Sequence, residues 1–169
     1  MKKILFVLMT VLGLSATAQV KMPAASPTQT LSQDFGLGKI EITYSRPGIK
    51  GRTVFGNGSL LAPYGIVWRT GANGATKITF SDAVTIGGKT LAPGDYALFT
   101  IPGEKEWTII INSKSNISGT AYSQADDVLR VVVKSGKSAS FSERMTFKIA
   151  KTGVVSLIWG DHQINFNVK

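Results

Sequence analysis

The chain has 169 residues, with no cysteine, one histidine, and 19 basic residues against 10 acidic ones. The lack of cysteine excludes disulfides, thiolate nucleophiles, iron–sulfur clusters and cysteine-ligated zinc, and the lone His162 gives no basis for a histidine-rich metal site or a Ser-His-Asp triad. The net positive charge favours anionic surroundings. Because the basic residues are dispersed with no run of three, most of them are expected on a solvated surface.

The first 18 residues have the three regions of a secretory signal peptide. Lys2 and Lys3 form the charged start, residues 4–14 are an uncharged, apolar run in which Thr10 is the one polar side chain, and residues 16–18 read Ala-Thr-Ala, a small-x-small cleavage site. An apolar run of this length is too short to span a bilayer as a helix, so no transmembrane segment is expected. The predicted organisation is a cleaved signal peptide, a short polar segment and one domain, over residues 1–18, 19–25 and 26–169.

The expected export of the chain determines which partners it can meet. Without the two lysines of the leader, 17 basic residues still face 10 acidic ones. A periplasmic or extracellular domain with this charge meets phosphorylated glycolipids, acidic polysaccharide and negative membrane faces. We therefore expect an anionic glycan or a lipid headgroup as the partner, and no nucleic acid.

After the leader, hydrophobic residues alternate with a period of two, interrupted by Gly, Pro, Asn and Asp. Residues 84–91 predict a tight hairpin, because the Gly-Gly pair at its centre suits the positive φ angles of a primed turn. Residues 96–101 and 107–112 are apolar runs that should pair as a central antiparallel hairpin, and residues 113–127 form a long polar loop. The other predicted strands are residues 28–33, 39–45, 66–70, 76–80, 128–134, 145–150, 154–159 and 162–168.

About ten short strands with frequent turn signals predict an all-β fold, an antiparallel Greek-key β-sandwich. Residues 91–96 read LAPGDY, which is similar to a tyrosine corner, where a tyrosine hydroxyl bonds back to the backbone at a strand entry. The alternative is a Pro-Gly turn before a strand whose Tyr96 only packs. Both interpretations indicate β structure.

The segment over residues 45–75 interrupts this pattern with a loop of about twenty residues, long for a small domain. The segment contains no carboxylate and concentrates cations and aromatic rings. Guanidinium groups match carboxylate, sulfate and phosphate, and aromatic faces suit sugar rings. The segment therefore predicts an anion- or glycan-binding site with the candidate residues Arg46, Lys50, Arg52, Tyr64, Trp68, Arg69 and Asn73.

The same segment also has a structural interpretation. Trp68 lies in an apolar run and can belong to the core. Arg46 and Arg69 can each pair with an acidic residue and so hold the loop down, the candidates being Glu41, Asp34, Asp82 and Asp95.

No constellation typical of an enzyme stands out, and neither a cofactor nor a metal is expected. The close carboxylate pairs of the sequence, at residues 104/106 and 126/127, lie in predicted turns, where a solvated surface is the default. Asp126 and Asp127 lack the ligand spacing of a calcium loop, so an ion pair with Arg130 at the strand entry is the better interpretation.

Three stretches are similar to one known family. They read SRPGIKGRTVFG, PYGIVWRTGAN and IGGKTLAPGDYALFTIPGEKEWTIIIN. Together they resemble the exported Bacteroidota family catalogued as domain of unknown function 2911, from about Ser26 to the C-terminus. The resemblance implies a small secreted or periplasmic domain, and it brings neither an activity nor catalytic residues.

Three classes of function therefore stay open. The first is a non-catalytic envelope protein that binds its ligand through residues 45–75. The second is a structural or partner-binding envelope domain. The third is a hydrolase or lyase with an Arg/Tyr/Asp site, combining Arg46, Arg69 and Asn73 with a loop carboxylate.

Overall fold

The computed structural model describes residues 24–169, and the predicted signal peptide lies outside them. The strands are β1 (Thr28–Phe35), β2 (Gly38–Ser45), β3 (Thr76–Phe80), β4 (Val84–Ile86), β5 (Lys89–Leu91), β6 (Gly94–Ile101), β7 (Glu106–Asn112), β8 (Asp127–Ile149) and β9 (Val154–Asn167), with a 3-10 turn at Gln124–Asp126. None of the helical structure in this range is long and apolar enough to cross a membrane.

Seven strands form one antiparallel sheet in the order β1-β2-β3-β6-β7-β8-β9, and β4 pairs with β5 as a separate hairpin. The predicted all-β, antiparallel fold is confirmed. Neighbours in the sheet follow the order of the chain, so the connections are those of a meander and differ from the expected Greek key. The β4–β5 hairpin is an excursion between β3 and β6, which pair directly with each other.

The last two strands are longer than expected. The two strands predicted within β8 and the two predicted within β9 are each continuous, because the residues between them stay extended. The register between β8 and β9 shifts between Lys137 and Ser142 and again before Thr146. Irregularities of this kind bend a strand. β8 pairs with β7 as far as Lys134 and with β9 from Ser135 onward.

The bent end of β8 also meets the chain that follows β2. The Ile49 N–H donates to the Glu143 carbonyl over 3.0 Å, and the Met145 N–H donates to the Pro47 carbonyl over 3.0 Å. These bonds bring the two ends of the sheet together. The sheet therefore curls around the core, and the segment 45–75 begins at this seam.

The core fills the inside of the curled sheet. The predicted alternation holds in β2, where Ile40, Ile42 and Tyr44 are buried and the residues between them are partly exposed. The central hairpin of β6 and β7 is covered on both faces, as its apolar runs indicate. Its second face carries a smaller cluster formed by Ala97, Phe99 and Ile110 and covered by Val67, Ala75, Ile117 and Tyr122.

Two local predictions are confirmed at the level of single bonds. The Tyr96 hydroxyl donates to the Ala92 carbonyl over 2.8 Å, which is the tyrosine-corner contact. Gly87 and Gly88 have φ angles of +57° and +83°, as the tight turn between β4 and β5 requires.

The strand predicted over residues 66–70 is wrong. Trp68 alone pairs there, exchanging two backbone hydrogen bonds with Thr100 beyond the point where β3 leaves β6. Thr70 then has a φ of +56°, which is incompatible with a strand. A local apolar run cannot reveal this turn, because the left-handed residue is held by partners distant in sequence.

Candidate functional site

Part of the segment 45–75 is buried in the core. Phe55 lies in the middle of the segment and is buried, with its ring centroid 4.7 Å from that of Trp107 and 5.8 Å from that of Trp159. Trp68 stacks on Trp159 with centroids 5.7 Å apart, and its indole N–H donates to the Gly71 carbonyl. The long loop is thus fixed from inside by its aromatic residues.

The aromatic candidates for ligand binding therefore lie inside. Trp68 is 6% exposed and belongs to the core, as the structural interpretation has it, so no sugar ring can reach its face. Tyr64 is half-buried and packs against the same core. The cations of the segment must be considered separately from its rings.

Arg46 links the end of β2 to β8. Its Nε donates to the Met145 carbonyl over 3.0 Å, and its Nη2 donates to the Thr146 hydroxyl over 2.8 Å. Both acceptors are neutral, so these bonds use part of the donor fork and leave the positive charge uncompensated.

Lys50 and Arg52 lie together on a tight turn. The Arg52 guanidinium donates to the carbonyls of Gly48 and Ile49, over 2.6 and 3.0 Å. The Lys50 N–H donates to a Glu143 carboxylate oxygen over 2.8 Å, while the Lys50 residue is exposed. This pair lies at the seam between β2 and β8.

The ion pairs considered for Arg46 and Arg69 are not formed. Within residues 24–169, the ion pairs closer than 4.0 Å are Lys77–Asp95 and Arg130–Asp127, and the His162 imidazole lies 3.4 Å from Asp161. None of these pairs includes an arginine of the segment 45–75. A structural role for these arginines would therefore rest on hydrogen bonds to backbone carbonyls and hydroxyls, and not on ion pairs with carboxylates.

The turn over residues 69–76 is strained and held rigidly. Thr70 and Asn73 have positive φ angles of +56° and +62°, and a β-branched residue such as Thr70 is rarely found there. The Thr70 hydroxyl bonds with that of Thr100 over 3.1 Å, and the Thr76 hydroxyl donates to the Thr70 carbonyl over 2.7 Å. Strained backbone that the surroundings hold in place is found preferentially at functional sites.

Arg69 extends from this turn under the loop that follows β7. A Cβ added at Gly119 would overlap Arg69 Cδ and lie 3.0 Å from both Arg69 Nε and the Asn73 carbonyl oxygen. The loop backbone therefore rests directly on the arginine stem. Arg69 Nε is buried and has no hydrogen-bond acceptor among the described residues.

A polar groove of about 390 Å³ is lined by Gly74 and Ala75 of the turn 69–76, while Arg69 and Asn73 precede them along the chain and do not line it. Gly74 forms an isolated bridge with Ser118, which joins the turn 69–76 to the covering loop. The groove is lined by Thr43, Gly74, Ala75, Lys77, Asp95, Ser115, Asn116 and Ile117. We refer to Arg69, Asn73 and these lining residues as the Arg69 site.

The carboxylate of the Arg69 site is kept ionised. The Thr79 hydroxyl donates to Asp95 over 2.6 Å and is the main cause that lowers the pKa of the Asp95 carboxyl, and Lys77, 3.6 Å away, lowers it further. The groove thus presents an ammonium, a carboxylate, an amide and hydroxyls. Groups of these types donate and accept hydrogen bonds.

A cluster of hydrogen-bonded side chains at the C-terminal end of the loop 113–127 anchors this loop, which covers Arg69. Asp127 accepts hydrogen bonds from the Tyr122 hydroxyl over 2.6 Å, from Arg130 Nε over 2.9 Å and from the Asn112 amide over 2.9 Å. The ion pair expected at this strand entry is confirmed. Burial, and then the bond to Asp127, raise the pKa of the Tyr122 hydroxyl, which is therefore protonated at neutral pH and cannot act as a base.

The candidate residues thus fall into separate groups. Arg69 and Asn73 come together at the Arg69 site, and the Asn73 amide donates to the Ser45 hydroxyl, next to Arg46. Lys50 and Arg52 lie on another turn, and the aromatic candidates are in or against the core. The groove residues of the loop 113–127 were missed, because only the pairing of Gly74 with Ser118 brings them to the segment 45–75.

Comparison with known proteins gives one match. A family model described as a protein of unknown function (DUF2911) matches residues 26–168. Neither a curated protein nor a solved structure matches the chain.

Proposed function

Because the chain belongs to the DUF2911 family, which assigns it no activity, we propose a function from the geometry of its own residues. We propose that it is an exported, non-catalytic envelope protein that binds an anionic carbohydrate at the Arg69 site. The Arg69 guanidinium receives a carboxylate or sulfate of the ligand, and the polar groove receives its hydroxyls.

One observation supports this proposal above the others: among residues 24–169, Arg69 Nε is a buried charged donor without an acceptor, whereas the other buried donors without one are the neutral indole N–H groups of Trp107 and Trp159. Leaving a buried donor unpaired costs about 1–3 kcal/mol, and more for a charged group. Arg46 and Arg52, in contrast, donate to backbone carbonyls. An anion bound at the Arg69 guanidinium would supply the missing negative charge.

The rigid backbone around Arg69 supports the same function. The strained turn 69–76 and the anchored loop 113–127 hold Arg69 and the groove in place before any ligand arrives. A site that is already ordered loses little conformational entropy on binding.

The cluster that best matches an Arg/Tyr/Asp catalytic site serves a different purpose. Tyr122, Asp127 and Arg130 hydrogen-bond mainly to one another, and the Asp127 side chain is only 7% exposed. We interpret this cluster as the anchor of the loop that covers Arg69.

Melting curves with soluble polysaccharides test the proposal. Polygalacturonate and heparin are expected to raise the melting temperature of the wild-type protein, and neutral dextran is not. Arg69→Ala is expected to remove this increase while its own melting temperature without polysaccharide stays within a few degrees of the wild type, and Arg69→Lys is expected to retain part of it.

Arg144→Ala is the matched control, because it removes one exposed arginine whose recorded bonds are two backbone contacts of 3.4 Å. This variant should respond to polysaccharide like the wild type. If Arg69→Ala lowers the melting temperature by many degrees, Arg69 is a structural brace. The proposal also fails if Arg69→Ala responds as strongly as Arg144→Ala.

A further inference from the structure

A second surface combines exposed apolar side chains with cations, and it does not include the Arg69 site. The Leu60 side chain is 97% exposed. It lines a cavity of about 230 Å³ together with Arg52 and Leu61. An exposed leucine next to a guanidinium group is a combination found where proteins bind membrane surfaces.

The turn that presents Leu60 is fixed. The Ser59 hydroxyl donates to the Val54 carbonyl over 2.6 Å and accepts from the N–H groups of Leu61 and Ala62. Ser59 and Ala62 are buried, so both sides of Leu60 are anchored to the core. The exposure of Leu60 is therefore a property of the folded turn.

A second exposed apolar side chain lies near Ile49, at the start of the turn that carries Arg52. Phe141 of β8 is 67% exposed. A Cβ added at Gly160 would lie 3.6 Å from Ile49 Cδ1 and 4.0 Å from Phe141 Cε2, so both side chains meet the same point on β9. The Ile49 carbonyl in turn accepts from Arg52. Leu60, Arg52 and Phe141 thus belong to one end of the molecule, which we call the Leu60 end.

The charges around the Leu60 end are mainly positive. Between Glu41 and Asp82 the chain has five basic residues and no carboxylate. The basic residues here are Lys50 and Arg52 on the turn after β2 and Lys137 and Arg144 on β8, and the acidic ones are Glu143 on β8 and Asp161 on β9. One oxygen of Glu143 already accepts from the Lys50 backbone N–H. An anionic surface complements this excess of positive charge. The exposed apolar side chains indicate that the partner also offers an apolar region.

We propose that the Leu60 end docks on a bilayer surface rich in anionic phospholipid. Leu60 and Phe141 enter the boundary between headgroups and acyl chains, while Lys50 and Arg52 lie at the level of the phosphates. Two modest contributions, apolar insertion and electrostatic attraction, combine to give reversible attachment. The docking does not depend on the Arg69 site, which uses other residues.

Co-sedimentation with vesicles tests this inference. The purified protein is expected to sediment with vesicles of mixed phosphatidylcholine and phosphatidylglycerol, and not with phosphatidylcholine alone. Leu60→Asp and the double variant Lys50→Glu/Arg52→Glu are each expected to weaken binding by about tenfold or more, with Phe141→Ser as a further variant that leaves the Leu60 turn intact.

Leu37→Asp is the matched control. Leu37 is also fully exposed, but it lies on the β1–β2 turn, beside Lys39 and Asp82. This variant should bind like the wild type, and so should Arg69→Ala. The inference would be overturned by no binding of the wild type, equal binding to neutral vesicles, equal losses for Leu37→Asp and Leu60→Asp, or unchanged binding in Leu60→Asp and Phe141→Ser. Loss of heparin binding in Leu60→Asp would assign the surface to a polymer and equally contradict membrane docking.

Discussion

Gly119 controls the position of Arg69. This glycine has ordinary φ, so its small size matters because the stem of Arg69 and the Asn73 carbonyl occupy the space that a side chain would need. The structural requirement is close approach of the loop backbone. Gly119 is thus a residue of the Arg69 site that sequence reasoning gave no reason to choose.

Gly119→Ala is therefore expected to displace either the loop or Arg69. We expect a loss of about 1–3 kcal/mol in the free energy of unfolding, the usual cost of overpacking, together with a loss of polygalacturonate binding. Urea unfolding and a binding titration measure the two effects.

Gly74→Ala is the control on the opposite side of the same bridge, where an added Cβ would be 3.8 Å from its nearest neighbour. Its unfolding free energy should stay within about 0.5 kcal/mol of the wild type. Equal effects of the two alanines would show that Arg69 is not held by Gly119.

The Asp95 carboxyl of the Arg69 site makes the stability of the fold depend on pH. The Thr79 hydroxyl, with a smaller effect of Lys77, lowers the pKa of Asp95 below its ordinary value of 3.8. A carboxyl with a lowered folded-state pKa stabilises the fold above the ordinary pKa, and this contribution is lost as the pH falls through the folded-state pKa.

Urea unfolding of the wild type and Asp95→Asn from pH 7 to pH 2 checks the sign. The wild type should be slightly more stable at neutral pH, because the Asp95 side chain is half exposed and screened. The difference should shrink below about pH 4. A difference that is constant over the whole range would mean that the carboxylate is not stabilised in the folded state.

At the scale of elements, the segment 45–75 is held by Phe55. The Phe55 ring contacts those of Trp68, Trp107 and Trp159, and also lies 5.0 Å from that of His162. The loop is therefore part of the core and not an appendage. The basic residues of the segment are therefore attached to a stretch of chain that is packed in the core.

Phe55→Ala is expected to cost about 3–5 kcal/mol in the free energy of unfolding, as for other buried aromatic residues. Leu60→Ala, in the same loop but exposed, should cost less than about 0.5 kcal/mol. Urea unfolding of both variants measures the contrast. A cost below about 1 kcal/mol for Phe55→Ala would mean that the loop is not packed as described.

The elements that could be predicted from the sequence are those with a local cause. Alternation predicted β2, the Gly-Gly pair predicted the β4–β5 turn, and LAPGDY predicted the Tyr96–Ala92 bond. The continuity of β8 could not be predicted, because Ser138 and Ser140 lie where the register between β8 and β9 shifts, and a register shift depends on the partner strand. The turn after Trp68 likewise depends on Thr100, thirty residues away along the chain.

At the scale of the whole molecule, sequence reasoning located the segment of interest but not the partners of its residues. A long, basic, carboxylate-free stretch can be recognised from its composition. Which rings turn inward and which cations stay free depends on the curl of the sheet. The groove depends on the neighbouring loop, whose polar residues looked like ordinary surface.

The curled sheet thus carries two cationic regions, the Arg69 site and the Leu60 end, supported by one aromatic core. We propose carbohydrate binding for the first and membrane docking for the second. Arg69→Ala and Leu60→Asp separate the two proposals, since each variant should lose one kind of binding and keep the other.

The most direct measurement is a calorimetric titration of the wild type and Arg69→Ala with an oligogalacturonate, with the unfolding free energy of both proteins measured in parallel. We expect saturable binding by the wild type, affinity lower by at least about tenfold in Arg69→Ala, and nearly equal stability. Equal affinity in the two proteins, or a variant that is much less stable than the wild type, would contradict the role of Arg69 as an anion receptor.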